Sequence, residues 1–277
     1  MSGSTLVSTE ELSSDPAELR VFDCRFDLAK PDWGEAEYRK AHIPGAVFAH
    51  LDRDLSAPKT GKNGRHPLPD PDVFAQWLSS KGLNKSDRVI CYDAGNGAMA
   101  ARLWWLLRWM GHEDVAVLDG GFAKWTKEGR PVTSDVPSYP ATSYPSEYDE
   151  NRTVSYRSIQ RNLNGTFLLD ARSPARWRGE QEPIDPEAGR IPGAKNRFNM
   201  DNLNADGTFK DPSALREELL KATFKRDPRE IIHYCGSGVA ACHNLLAMEV
   251  AGLPGGKLYA GSWSEWIADP SRPREKG

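Results

Sequence analysis

Cysteine is scarce in this chain, with Cys24, Cys91, Cys235 and Cys242 the only four among 277 residues. They are too few and too dispersed for a disulfide scaffold, so reduced thiols are expected. Metal motifs are missing as well. Cys235, Cys242 and His243 share a neighbourhood, but there is neither a CxxC pair nor an HExxH helix, and no metal site is expected. A surplus of charge is also lacking, since 36 Lys and Arg face 39 Asp and Glu with the two signs interspersed. No basic face points to nucleic acid. No apolar run approaches the roughly 18 residues a membrane span requires, and Met1 to Asp15 lacks the charged and apolar regions of a signal peptide. The expectation is a soluble cytoplasmic protein with neither a membrane nor a nucleic-acid partner.

What is present is one pattern written twice. Val21-Phe22-Asp23-Cys24-Arg25 matches Leu168-Leu169-Asp170-Ala171-Arg172, and His42-Ile43-Pro44-Gly45-Ala46 matches Arg190-Ile191-Pro192-Gly193-Ala194. Val89-Ile90-Cys91-Tyr92-Asp93 matches Ile231-Ile232-His233-Tyr234-Cys235, and Leu118 to Trp125 matches Tyr259 to Trp266. The offset drifts only from 148 to 141 residues, as it would in a duplicated domain with small loop changes. Each copy alternates short β-branched runs with helical segments, which predicts an α/β fold with a mainly parallel sheet and helices on both faces. Asp70-Pro71 and Asp211-Pro212 open helices, and Gly111 and Gly252 close others. Pro131 to Thr153 holds four prolines and no apolar period. The expected division is an N-terminal domain over 1–135, a linker over 136–153 and a C-terminal domain over 154–277.

Cys235 carries the chemistry. It ends the run Ile231-Ile232-His233-Tyr234 and opens Cys235-Gly236-Ser237-Gly238-Val239-Ala240-Ala241, which leads into a helical pattern. A thiol of pKa about 8.5 is only about 3% ionised at pH 7, and lowering that pKa by two units takes about 2.7 kcal/mol of preferential anion stabilisation. Loop N–H groups and a helix N-terminus supply such stabilisation, and the glycines let the chain close around the sulfur. The alternative is a small buried apolar residue at a strand end. Asp93 stands where Cys235 stands in the second copy, so one active site is expected, in the C-terminal domain. Asp93→Cys is not expected to create another, for want of a glycine-serine-glycine cradle. Cys242 is read as a core residue or a resolving thiol.

On these residues the chain resembles the tandem-domain rhodanese superfamily over nearly its whole length. Tyr38 to Ala46 looks like the N-terminal signature and Ala260 to Trp266 like the C-terminal one, while the Cys235 to Val239 loop is similar to that of 3-mercaptopyruvate sulfurtransferases. The resemblance implies two rhodanese-like domains, the first inactive, and no cofactor. It implies transfer of sulfane sulfur from 3-mercaptopyruvate, or from thiosulfate, through a Cys235 persulfide to thioredoxin, glutathione, another thiol or cyanide. It implies a proton relay of Ser237, His66 and Asp52, and a substrate carboxylate held by Arg176, with Gly236, Gly238, Val239 and Ala240 lining the loop. The family's second substrate arginine does not map. The chain has Glu182-Pro183-Ile184 at that place and Arg190 for the histidine of the repeated motif, so the expectation is that Arg190 or Arg178 compensates, or else that the donor preference is broader. A surface turn for His66, a capping role for Asp52 and a spacer role for Ser237 are the plainer readings. A cysteine phosphatase lacks its loop arginine here, and a non-catalytic interaction module would not need Cys235 and both glycines.

Overall fold

The computed structural model describes residues 5–14 and 19–277. The chain forms two compact units. The first holds β1 (Leu6–Val7), α1 (Thr9–Ser14), β2 (Leu19–Asp23), α2 (Trp33–Lys40), β3 (Ala46–Phe48), α3 (Pro71–Ser80), β4 (Arg88–Tyr92), α4 (Ala98–Trp109), β5 (Val115–Leu118) and α5 (Gly121–Lys127). The second holds α6 (Tyr156–Arg161), β6 (Phe167–Asp170), α7 (Pro174–Arg178), β7 (Lys195–Asn196), α8 (Pro212–Ala222), β8 (Ile231–Tyr234), α9 (Val239–Val250), β9 (Lys257–Leu258) and α10 (Ser262–Trp266).

Both sheets are parallel, in the orders β1-β5-β4-β2-β3 and β7-β6-β8-β9. Period-two alternation sends neighbouring side chains to opposite faces. In the first unit Val21, Ile90 and Tyr92 pack with Leu12 of α1 and Trp125 of α5, while Phe22 meets Trp77 of α3 on the other side. In the second, Ile232 and Tyr234 join Ile159 of α6 with Trp263 and Trp266 of α10, and His233 faces Leu245 of α9. The helices start where their caps predict. Asp70 accepts the N–H groups of Asp72 and Val73 ahead of α3, and Asp211 accepts that of Ser213 ahead of α8. The duplicated Asp-x-Arg motif is a duplicated ion pair, 2.6 Å between Arg25 and Asp23 and 2.7 Å between Arg172 and Asp170, both buried.

The two units are not contiguous spans of sequence. Residues 1–57, 68–149 and 204–209 belong to the first, and 58–67, 150–203 and 210–277 to the second. The contiguous division expected from the repeat is amended at two short arms, 58–67 and 204–209, each of which belongs to the unit of the other half. Each arm has its own anchors. Gly64 (φ +82°) fits so closely that a Cβ there would lie 2.7 Å from the Gly261 carbonyl oxygen, and the Arg65 N–H donates to Ser264 Oγ at 3.1 Å. In the other arm the Phe209 N–H donates to Asp119 Oδ1 at 2.8 Å. The proline-rich stretch before residue 150 lies on the first unit, where Thr142 donates to the Leu83 carbonyl and Tyr139 to that of Gly45.

Candidate active site

Cys235 follows β8, which β6 and β9 flank on either side, and is 3% exposed. Strand ends of parallel sheets are where α/β proteins place ligands. The loop is pinned from behind by Trp263 and Ser264, whose N–H groups donate to the carbonyls of Cys235 and Gly236, both at 3.0 Å. Ser262, held at φ +55°, accepts the Cys235 N–H at 3.1 Å. The Gly238 N–H donates to Cys235 Sγ at 3.1 Å. Gly238 has φ +80°, and a Cβ on it would lie 2.5 Å from the Ala260 carbonyl oxygen, so glycine is required there on two counts. From Val239 the chain enters α9, twelve residues long, whose N-terminal end the sulfur faces. Cys242 is fully buried one turn into that helix, its thiol donating to the Gly238 carbonyl at 3.1 Å.

The arm over 58–67 brings two further side chains. His66 Nδ1 and Ser237 Oγ are 2.7 Å apart, both buried. Arg65 pairs with Asp185, and its Nη2 would stand 2.7 Å from a Cβ on Gly236. Arg176 Nη2 would stand 3.3 Å from the same point. It is held by Glu182 (2.5 and 3.0 Å) and by Asp185 (3.2 Å). The loop therefore has a thiol on one side and two guanidiniums beside its first glycine. Gly236 is small for that reason, since any side chain would intrude on the space between them.

Of the residues expected from sequence, Cys235, Gly236, Ser237, Gly238, Val239 and Ala240 form the loop and helix start, and His66 and Arg176 reach it. Asp52 belongs to the first unit, in the turn after β3, where its N–H donates to His50 Nδ1 at 3.1 Å. Arg178 and Arg190 do not supply the second guanidinium. Arg178 is 41% exposed and occupied by Glu180. Arg190 is buried over the Trp177 ring, pairs with Glu275 and donates to the Gly277 carbonyl at 2.6 Å, so it clamps the C-terminal segment. The guanidinium beside Arg176 at Gly236 is that of Arg65. Its adjacency to His66 is the one signal for it in the sequence.

The first copy corrects a second expectation. Asp93 carries a cradle after all, one residue longer than that of Cys235. Its carboxylate accepts the N–H groups of Gly95 (2.9 Å), Gly97 (3.0 Å), Met99 (2.9 Å) and Ala100 (3.3 Å) at the start of α4, with Gly97 at φ +75° where Gly238 is at +80°. Burial raises the pKa of Asp93 and these four donors work against it. The main-chain anion site survives in the first copy, filled by its own side chain. Asp93→Ala is expected to cost about 3 kcal/mol or more by orphaning the four donors, read by chemical denaturation. An unchanged midpoint would show that the carboxylate does not hold the loop.

The similarity to known proteins follows the same outline. The rhodanese-like domain family matches residues 8–128 and 155–269. A Pseudomonas aeruginosa protein named "Probable 3-mercaptopyruvate sulfurtransferase" is 47% identical over 283 aligned residues, covering 100% of both chains. The thiosulfate sulfurtransferase of Cricetulus griseus is 35% identical over 259 residues, 90% of this chain and 85% of that one. Among solved structures, 3-mercaptopyruvate sulfurtransferase from Leishmania major superposes with a TM-score of 0.86 at 31% identity, covering 97% of this chain and 75% of that one. Two matched domains, full-length sequence similarity and a shared fold make one conclusion plain: the chain belongs to the rhodanese family, as a tandem of two rhodanese-like domains.

Proposed function

We propose that the chain is a sulfurtransferase that takes sulfur from 3-mercaptopyruvate onto Cys235 and passes it to a thiol such as thioredoxin or glutathione, or to cyanide. The observation that carries this reading is the 2.7 Å contact of His66 with Ser237, which shares the loop of Cys235, together with two guanidiniums beside Gly236 in that loop. In the first step the Cys235 thiolate attacks the donor sulfur. An S–S bond forms, the C–S bond breaks, and its electron pair leaves as the enolate of pyruvate. The proton that the donor thiol gives up passes through Ser237 and His66 to the enolate carbon, and Asp52, carried over from the family resemblance, is the third member of that relay. In the second step the acceptor attacks the outer sulfur, and Cys235 is released as a thiolate.

The donor brings a carboxylate beside a carbonyl, a geometry that planar guanidinium forks match. Arg65 and Arg176 are the pair beside Gly236. The names of its relatives support either donor. Thiosulfate remains the second reading, and the loop itself offers it no cation, since Gly236 to Ala241 carries none. Arg65→Ala and Arg176→Ala should each raise the KM for mercaptopyruvate about 10- to 100-fold, the loss expected for one charge-assisted hydrogen bond, and should alter thiosulfate use less. Equal effects on both donors would refute the carboxylate role. The direct test of the function is mass spectrometry of the protein after incubation with mercaptopyruvate. One added sulfur on the peptide carrying Cys235 supports it, and an unchanged mass overturns it.

A further inference from the structure

Asp185 stands between the two guanidiniums that face the nucleophile loop. Its side chain is 2% exposed, Oδ1 accepts from Arg65 Nη1, and Oδ2 accepts from Arg176 Nη2 at 3.2 Å. The Asp185 N–H donates to Glu182 Oε1 at 3.1 Å, beside that of Ile184 at 3.2 Å. Burial pushes the Glu182 carboxyl up, but the Arg176 hydrogen bonds and these two N–H groups outweigh it and hold the group below the usual carboxylate range. Glu182 also reaches Arg172 at 3.3 Å, and Arg172 grips Asp170. The network sets three guanidiniums, Arg65, Arg172 and Arg176, against three carboxylates, Asp170, Glu182 and Asp185. It holds no surplus charge.

Hydrogen-bond donors are nonetheless left over. Arg65 Nη2 reaches the space over Gly236 and Arg65 Nε is buried with no hydrogen-bond partner among the described residues, whereas both protons of the neighbouring Arg176 Nη2 are taken by Glu182 and Asp185. A site with spare donors and no spare positive charge suits an anion of single charge that brings neutral acceptors with it. A 2-oxo carboxylate is such an anion. A dianion gains more from each unit of surplus positive charge than a monoanion does, and Asp185 removes one unit.

Building on the sulfurtransferase reading above, we infer that Asp185 sets donor specificity: by neutralising one of the two guanidiniums beside Gly236 it selects a monoanionic 2-oxo-acid donor over a dianionic one such as thiosulfate. It acts through Arg65 and Arg176 and is a positioning residue. The test compares the parent protein with Asp185→Asn and Asp185→Glu, using mercaptopyruvate and thiosulfate as donors and cyanide as acceptor. Asp185→Asn should raise the ratio of kcat/KM for thiosulfate to that for mercaptopyruvate about ten-fold or more, with the change in donor KM. Its thiosulfate activity should also fall more steeply with salt. Asp185→Glu should restore the parent ratio. A carboxylate that only braced the arginines would, once neutralised, weaken both donors together, so an unchanged ratio overturns the inference. Calorimetry with pyruvate and with sulfate reads the same preference without turnover, and Asp185→Asn should shift it toward sulfate. A parent protein inert with both donors would sink the sulfurtransferase reading, and the calorimetric ratio would still decide the role of Asp185.

Discussion

Cys235→Ser is expected to lower sulfur transfer to cyanide by about four orders of magnitude or more, because it removes the atom on which the sulfur rides. A hydroxyl in that place has no accessible anion at neutral pH and forms no persulfide. The substitution is nearly isosteric, and the Gly238 N–H that donates to Sγ at 3.1 Å can donate to Oγ instead, so the fold should stand. Loss of activity with an unchanged unfolding midpoint is therefore the expected pair of results, read by thiocyanate formation and by denaturation. The added sulfur seen by mass on the parent protein should be missing from the variant. Retained full turnover would place the chemistry elsewhere and overturn the assignment.

Loss of stability in acid is the second large effect, and it comes from His233. This imidazole sits on β8 two residues before the nucleophile, fully buried, and neither ring nitrogen has a hydrogen-bond partner among the described residues. The Leu245 side chain and Gly256 close over it. Burial alone pushes its pKa down from 6.5 to about 3. In the unfolded chain it takes up a proton below pH 6.5, and in the folded protein it does not. The unfolded state thus binds more protons between about pH 6.5 and 3, and stability falls as pH falls through that window. The loss attributable to His233 is about 2 kcal/mol by pH 5. His233→Leu should remove that part of the slope, and at pH 7.5 it should be neutral or stabilising, since it replaces two unpaired polar atoms with apolar ones. Urea denaturation of both proteins from pH 7.5 to 5 checks the difference. Identical slopes would mean that the ring is hydrated or paired in solution.

His233 also shows how far the repeat could be trusted. Its counterpart in the first copy is Cys91, and both occupy a buried strand position that sequence treats as apolar. The pattern of the strand survives the exchange because alternation, not residue identity, decides which face a side chain takes. Asp93 was legible as the counterpart of Cys235 for the same reason. Its cradle was not, because main-chain donors have no letters in a sequence, and the first copy spells its loop Ala94-Gly95-Asn96-Gly97 rather than Gly236-Ser237-Gly238.

Arg65, Arg178 and Arg190 show the other limit. All three lie near a motif, and nothing local distinguishes them. Arg178 finds Glu180 two residues away and stays at the surface, while Arg190 finds Glu275 across 85 positions and Arg65 finds Asp185 across 120. By itself the order of residues determined the duplication, the parallel sheets and the strand-loop-helix around Cys235, because each is written in short-range periodicity, capping and glycine placement. Which cations stand beside Gly236 in the Cys235 loop was decided only by tertiary structure. A guanidinium takes its role from the carboxylate it meets, and here that meeting depends on an arm of ten residues, 58–67, packing within the unit of the other half of the chain.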